Sequence, residues 1–201
     1  MFRSHLRIAI PVSCLTLVLL SCATGPRVRQ GSITPPTGLN EPMLELRYEG
    51  GMIANPDPTP FVRVYPGGRV MVHYPAYTKR AGDYSLQLND EELQALLASF
   101  SNEGVLTLQE KDLHVMAVEM RANVMEPQID DHGMEAVVRI RGESFIAQGR
   151  AMMLNVDQTI RASADLLRAA PDSAFESLKS LAAGVSRLEE LARSESLRKI
   201  D

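Results

Sequence analysis

Apolar and polar residues alternate from Met43 to Tyr48, and the alternation stops at Gly50-Gly51. A period of two marks a strand with one buried face, and paired glycines end it. Asn55-Pro56-Asp57-Pro58-Thr59-Pro60 must be loop, because its three prolines remove ladder donors. Phe61 to Tyr65 and Arg69 to Tyr74 alternate again around Pro66-Gly67-Gly68, which makes a hairpin. Its loop length decides which residues share a face, since a slip of one residue exchanges the faces. A two-residue Gly67-Gly68 turn would set Tyr65 against Val70 and mix them. A three-residue loop with a glycine in the left-handed region pairs Val64 with Val70 and Val62 with Val72. That register leaves one clean apolar face and is the one expected. The opposite face would then carry Phe61, Arg63, Tyr65, Arg69, Met71 and His73, and Tyr84 to Leu88 reads as a further short strand.

The period then changes. Asn89 and Glu92 have the spacing of a capping box, with Leu88 and Leu93 at the two positions of a hydrophobic staple. Leu93, Leu96, Leu97 and Phe100 form the buried stripe of that helix, and Asn102 to Gly104 end it. Asp112 to Val124 is a second helix, with Leu113, Ala117, Met120 and Val124 at helical spacing. Met134 to Arg141 and Ser144 to Gly149 read as a second hairpin turning at Gly142-Glu143, and Ala151 to Val156 is apolar without a clear period. Thr159 to Ala169 reads as a short alanine-rich helix stopped by Pro171. Ser173 and Glu176 form a capping box for a last helix striped by Phe175, Leu178, Leu181, Ala182, Val185, Leu188, Leu191 and Ala192, with Glu189 and Arg193 as an i,i+4 pair. That stripe suits packing on the sheet, with pairing to another chain as the alternative. Hairpins and helices in this order predict an α+β domain over 43–201, an antiparallel sheet with helices packed on one face. A subdivision near residue 127 is left open.

What precedes the domain has another character. Arg3 and Arg7 supply positive charge, Ile8 to Leu20 form an apolar core, and the small residue Ser21 stands before Cys22. These are the parts of an export signal over 1–21, and a core of about thirteen residues is too short for a helix to cross a bilayer. Residues 22–42 hold Pro26, Pro35, Pro36 and Pro42 with Gly25, Gly31 and Gly38, and read as a tether. As a mixed coil it would hold the domain on the order of 25 Å from its attachment. Removal of the signal takes Arg3 and Arg7 and leaves 19 basic against 25 acidic residues, a net charge of −6. A mildly acidic chain is a poor nucleic-acid binder, which needs clustered cations against phosphates. Both cysteines, Cys14 and Cys22, lie outside the domain, so no disulfide is expected in it.

Leu19-Leu20-Ser21-Cys22 resembles the lipobox of bacterial lipoproteins, which usually carry a smaller residue where Leu20 stands. The resemblance implies that the Cys22 thiol receives a diacylglyceryl group and that the signal is cut just before it. Ala23, where such proteins carry an aspartate for inner-membrane retention, implies the outer membrane facing the periplasm. Several acyl chains anchor far more firmly than one. A second likeness runs from Leu46 to Gly104 through R-Y-x-G-G, V-R-V-Y-P-G-G-R-V, G-D-Y-S-L-Q-L and D-E-E-L-Q-A-L-L. This outline is similar to emfourin, a proteinaceous inhibitor of thermolysin-like metalloproteases. The half after Lys111 departs from that pattern, and no inhibitory residue carries over.

Candidate chemistry is sparse. The mature chain has His73, His114 and His132, isolated in sequence, and no H-E-x-x-H, C-x-x-C, G-x-S-x-G or S-x-x-K. Asp130-Asp131-His132-Gly133 suits a polar turn better than an acid–base cluster. His114, Met116, Met120 and Met125 offer soft Cu(I) ligands, but methionine is also the usual filler of cores. Asp57, Asp83 and Asp90 have loop or cap explanations. The expectation is a non-enzyme without cofactor, metal or nucleic acid: a lipid-anchored envelope protein that binds another macromolecule. Arg63, Tyr65, Arg69 and His73 form the candidate face. That row is otherwise explained by a helix covering it while the basic stems snorkel. An inhibitor of an envelope or secreted protease and a copper-handling lipoprotein are the alternatives.

Overall fold

The computed structural model describes residues 29–38, 40–50, 57–123 and 133–200. Among the described residues the eight strands are β1 (Ser32–Thr34), β2 (Leu44–Gly50), β3 (Val62–Val64), β4 (Arg69–Tyr74), β5 (Gly82–Gln87), β6 (Met134–Ala147), β7 (Arg150–Ser163) and β8 (Arg198–Lys199). They form one antiparallel sheet. β6 is its longest shared strand: β7 follows one edge, while β2 along Met134–Ile140 and β1 along Ser144–Ile146 divide the other. Beyond β2 the order continues through β3, β4 and β5 to β8. The helices are α1 (Asp90–Phe100), α2 (Glu103–Leu106), α3 (Glu110–Asn123), α4 (Ala164–Ala169) and α5 (Glu176–Arg193). The architecture is α+β.

One sheet face makes the core. Leu44, Leu46, Val62, Val64, Val70, Val72, Ala136, Val138 and Ile140 are each at most 1% exposed. Leu178, Leu181, Val185, Leu188 and Ala192 of α5 close over them, and Leu93, Leu96, Leu97 and Phe100 of α1 join. Each such Val, Leu or Phe contributes about 1.5–3 kcal/mol by leaving water. The α5 stripe therefore packs within this chain. Tyr48 donates its hydroxyl to Glu189 and Tyr74 donates to the Ala192 carbonyl, so two strand tyrosines clasp the same helix.

Local signals placed several elements. The β3–β4 register is Val62 with Val72 and Val64 with Val70. Pro66 and Gly67 occupy the turn between the Tyr65 carbonyl and the Gly68 amide, with Gly67 and Gly68 at φ +82 and +85°. Proline and a left-handed glycine at the two central positions are what a type II turn requires. The Asn89 side chain accepts from the Glu92 amide at 2.9 Å while Glu92 accepts from the Asn89 amide at 2.8 Å, a complete capping box.

Other expectations are corrected. The stretch read as tether to Pro42 docks well before that residue. Gln30 bridges Asn102, the Gly31 amide donates to Ser101 at 2.9 Å, and Ile33 is buried opposite Phe145. The hairpin does not turn at Gly142-Glu143: β6 continues to Ala147, and Gln148-Gly149 make the turn at φ 52 and 71°. Gly142 answers a different demand, since a β-carbon there would stand 2.5 Å from Ile33 and 2.7 Å from the Thr34 carbonyl. Residues 159–163 are strand, not helix, because β6 supplies a partner to each from Thr159 to Ser163. Ser173 caps no helix; its hydroxyl accepts from the Phe175 amide at 3.3 Å in a local turn. Phe61 leaves the row predicted for it, its ring lying 6.1 Å from that of Tyr48 and 5.7 Å from that of Tyr74 on the α5 side.

Candidate functional site

The second face of the sheet is built from the residues between the buried ones. Across the ladder it reads Thr159, Arg139, Glu45, Arg63, Met71, Ser85 and Arg198, one residue from each of seven neighbouring strands. Tyr65, Arg69 and Gln87 form a shorter row beside it. The helices that pack on the sheet, α1, α4 and α5, bury their stripes against the other face. Among the described residues no helix covers the Arg63–Arg69 region, so snorkelling under a helix does not explain it.

The two halves of this face differ in charge. On β7, β6 and β2 four arginines of this face, Arg47, Arg139, Arg141 and Arg161, each meet a carboxylate. Arg139 holds Asp157 in a two-pronged pair at 2.8 and 2.7 Å, which raises the arginine's pKa and lowers the aspartate's. Arg141 lies 3.9 Å from Glu45 and 4.0 Å from Asp157, Arg47 lies 2.5 Å from Glu49, and Arg161 pairs with Glu49. On β3, β4, β5 and β8 the pairing stops. Arg63 and Arg198 form no ion pair among the described residues; the Nε of Arg63, like that of Arg47 in the paired half, is buried without an acceptor there. Arg69 lays its guanidinium 4.2 Å from the centre of the Tyr65 ring, which leaves Tyr65 only 6% exposed.

His73 is part of the same face but does a different job. Its Nδ1 lies 2.8 Å from Asp83 and its Nε2 lies 2.7 Å from Asp57. Carboxylates only accept, so both ring nitrogens must donate, and the ring is an imidazolium. Burial alone would depress its pKa, but hydrogen bonds to Asp83 and then Asp57 outweigh it and raise the value. Asp57 is lowered to about 2, first by its bonds to Thr59 and then by His73. The clamp ties the proline-rich loop to β4 and β5. It is a fastening and not a free cation of the row.

Of the four residues expected together, Arg63 and Arg69 therefore share a basic patch, with Tyr65 buried beneath Arg69, and His73 is engaged elsewhere. Arg198 completes the patch and had no signal in the sequence, because β8 is two residues long. Cys22 and the 130–132 turn lie outside the described residues. His114 is exposed on α3, whereas Met116 and Met120 are half-buried against the core.

No family model, curated protein or solved structure matches the chain. The functional reading therefore stands on these residues alone.

Proposed function

We propose that the chain is a lipid-anchored protein of the bacterial cell envelope with a non-catalytic, macromolecule-binding role. The anchor is Cys22, and the binding surface is the patch of Arg63, Tyr65, Arg69 and Arg198. The observation that carries this reading is the asymmetry of the open sheet face. In one half the arginines are matched with carboxylates, and in the other Arg63 and Arg198 have none among the described residues. An acidic, extended segment of a partner protein supplies what that half lacks. A guanidinium is weakly hydrated and binds carboxylates in two-pronged geometry, so such a row suits recognition better than a lysine patch would.

Two experiments test it. Full-length protein and its Cys22→Ala variant are compared by intact mass and detergent-phase partitioning; acyl mass at Cys22 and its loss in the variant are expected. Partners crosslinked to the anchored protein are then compared with those of Arg63→Glu/Arg69→Glu, using Lys111→Glu on α3 as control. The double reversal should remove the partner and leave the unfolding midpoint unchanged. An unaltered set of partners would reject the patch.

A further inference from the structure

The point at which the chain enters the domain coincides with an exposed apolar tip. β1 runs antiparallel to β6 with Ser32 opposite Ile146, so residues 29–31 pass beside the Gln148-Gly149 turn. Arg29 Nη1 lies 3.9 Å from the sulfur of Met152 on β7, while its Nε lies 3.7 Å from Glu103. The hairpin reaches beyond β2, which pairs with β6 only as far as Ile140, and from Ser144 to Ile146 only β1 lies along that edge. Residues 141–147 carry it about 20 Å further at the usual rise of a strand.

That projection has an unusual surface. Leu154 is 72% exposed, more than any other large apolar residue described, and Ile146 and Met152 are each 37% exposed. The burial phase changes between Gly142 and Phe145, next to Asn155 at φ 53°, and this turns Phe145 and Ala147 inward while Ile146 and Leu154 face out. Arg150 stands exposed at the turn without an ion pair among the described residues. Apolar side chains flanked by arginines are the composition of an interfacial membrane contact.

Docking of residues 29–34 also shortens the tether. Seven Cα-to-Cα steps, with the six residues 23–28 between, lead from an acylated Cys22 to Arg29. Fully extended they span at most about 25 Å, and as a coil about 15 Å. An anchor at Cys22 therefore keeps this end of the molecule near the lipid surface.

We propose that the β6–β7 tip seats in the phospholipid surface that holds the anchor, with Ile146, Met152 and Leu154 entering the headgroup region and Arg150 meeting anionic headgroups. This rests on the lipid-anchored reading and extends it, because it fixes which end of the domain faces the bilayer. The Asp57–His73–Asp83 clamp and the loop holding Tyr77 then face away, since Tyr74 and Gly82 lie at the other end of the ladder.

The chain has no tryptophan, so one introduced residue is a unique reporter. Leu154→Trp is placed in the full-length acylated protein, with Tyr77→Trp, 67% exposed at the far end, as its counterpart. Both are reconstituted into vesicles of phosphatidylethanolamine and phosphatidylglycerol with or without brominated acyl chains. The Leu154→Trp emission should move to shorter wavelength and lose most of its intensity to bromine, the Tyr77→Trp emission should do neither, and adding Ile146→Ser and Met152→Ser should remove the quenching. A protein that floats with the vesicles while the Leu154→Trp signal is unquenched overturns tip docking and leaves the anchor standing. A blue shift that grows with protein density but ignores bromine assigns the tip to a second copy and also overturns it. A protein that neither carries acyl mass nor floats overturns the anchor, and the tip proposal with it.

Discussion

Gly31 decides where the tether ends, and replacing it with alanine tests that assignment. A β-carbon at Gly31 would stand 2.6 and 2.7 Å from the Phe145 ring and closer still to the Ile146 carbonyl oxygen. Neither neighbour can yield easily. Phe145 is fully buried, and the carbonyl belongs to a strand held on both sides by β1 and β7. Overpacking of this kind costs about 1–3 kcal/mol, with a ceiling set by the free energy of letting residues 29–34 go. The main apolar hold on that segment is Ile33, at 3% exposure, and Ile33→Ala should cost about 2–4 kcal/mol. If both substitutions act by undocking the same segment, Gly31→Ala/Ile33→Ala costs little more than the larger single change. Urea unfolding followed by circular dichroism gives the energies, and hydrogen exchange of peptides covering 29–36 and 144–147 gives the location. Faster exchange in both peptides with a non-additive cost is expected. A loss under about 0.5 kcal/mol with exchange unchanged would mean that Gly31 is not close-packed, and the reasoning from β1 would fail.

Two further outcomes follow from single contacts. Gly184 of α5 faces the Phe100 ring, and a β-carbon there would stand 2.6 and 2.8 Å from two ring carbons. Gly184→Ala should lose about 1–2 kcal/mol, overpacking outweighing about 1 kcal/mol of helix propensity, and should become stabilising beside Phe100→Leu; destabilisation in both backgrounds would refute the contact. At His73 the raised pKa means that the imidazolium contributes fully below its ordinary 6.5 and fades as pH rises through the folded value. The lowered Asp57 contributes above its ordinary 3.8 and fades as pH falls through about 2. The stability difference between wild type and His73→Gln should therefore be largest between 3.8 and 6.5 and smaller at a pH of about 9; urea midpoints that differ equally at both would remove the clamp.

What the sequence determined by itself is what neighbours along the chain decide. Pro66-Gly67-Gly68 with alternating valines sets a hairpin register, Asn89 and Glu92 start a helix, and a 3.6-residue stripe gives α5 its buried face, because each is a contact between residues a few positions apart. The α+β class was legible for the same reason. Gly142 reads locally as a turn, yet its missing side chain makes room for Ile33, more than a hundred residues earlier. Thr159 to Ser163 suit helix or strand about equally, and β6 decides for strand by supplying a hydrogen-bonding partner to each. The same holds for the surface. Sequence could name Arg63, Tyr65 and Arg69 as one row, but not that Arg139 and Arg141 would find carboxylates across the sheet while Arg63 would not, nor that Asp57 and Asp83 would take both nitrogens of His73. Charge is a property of a residue; whether it is neutralised is a property of what the fold brings within about 4 Å of it.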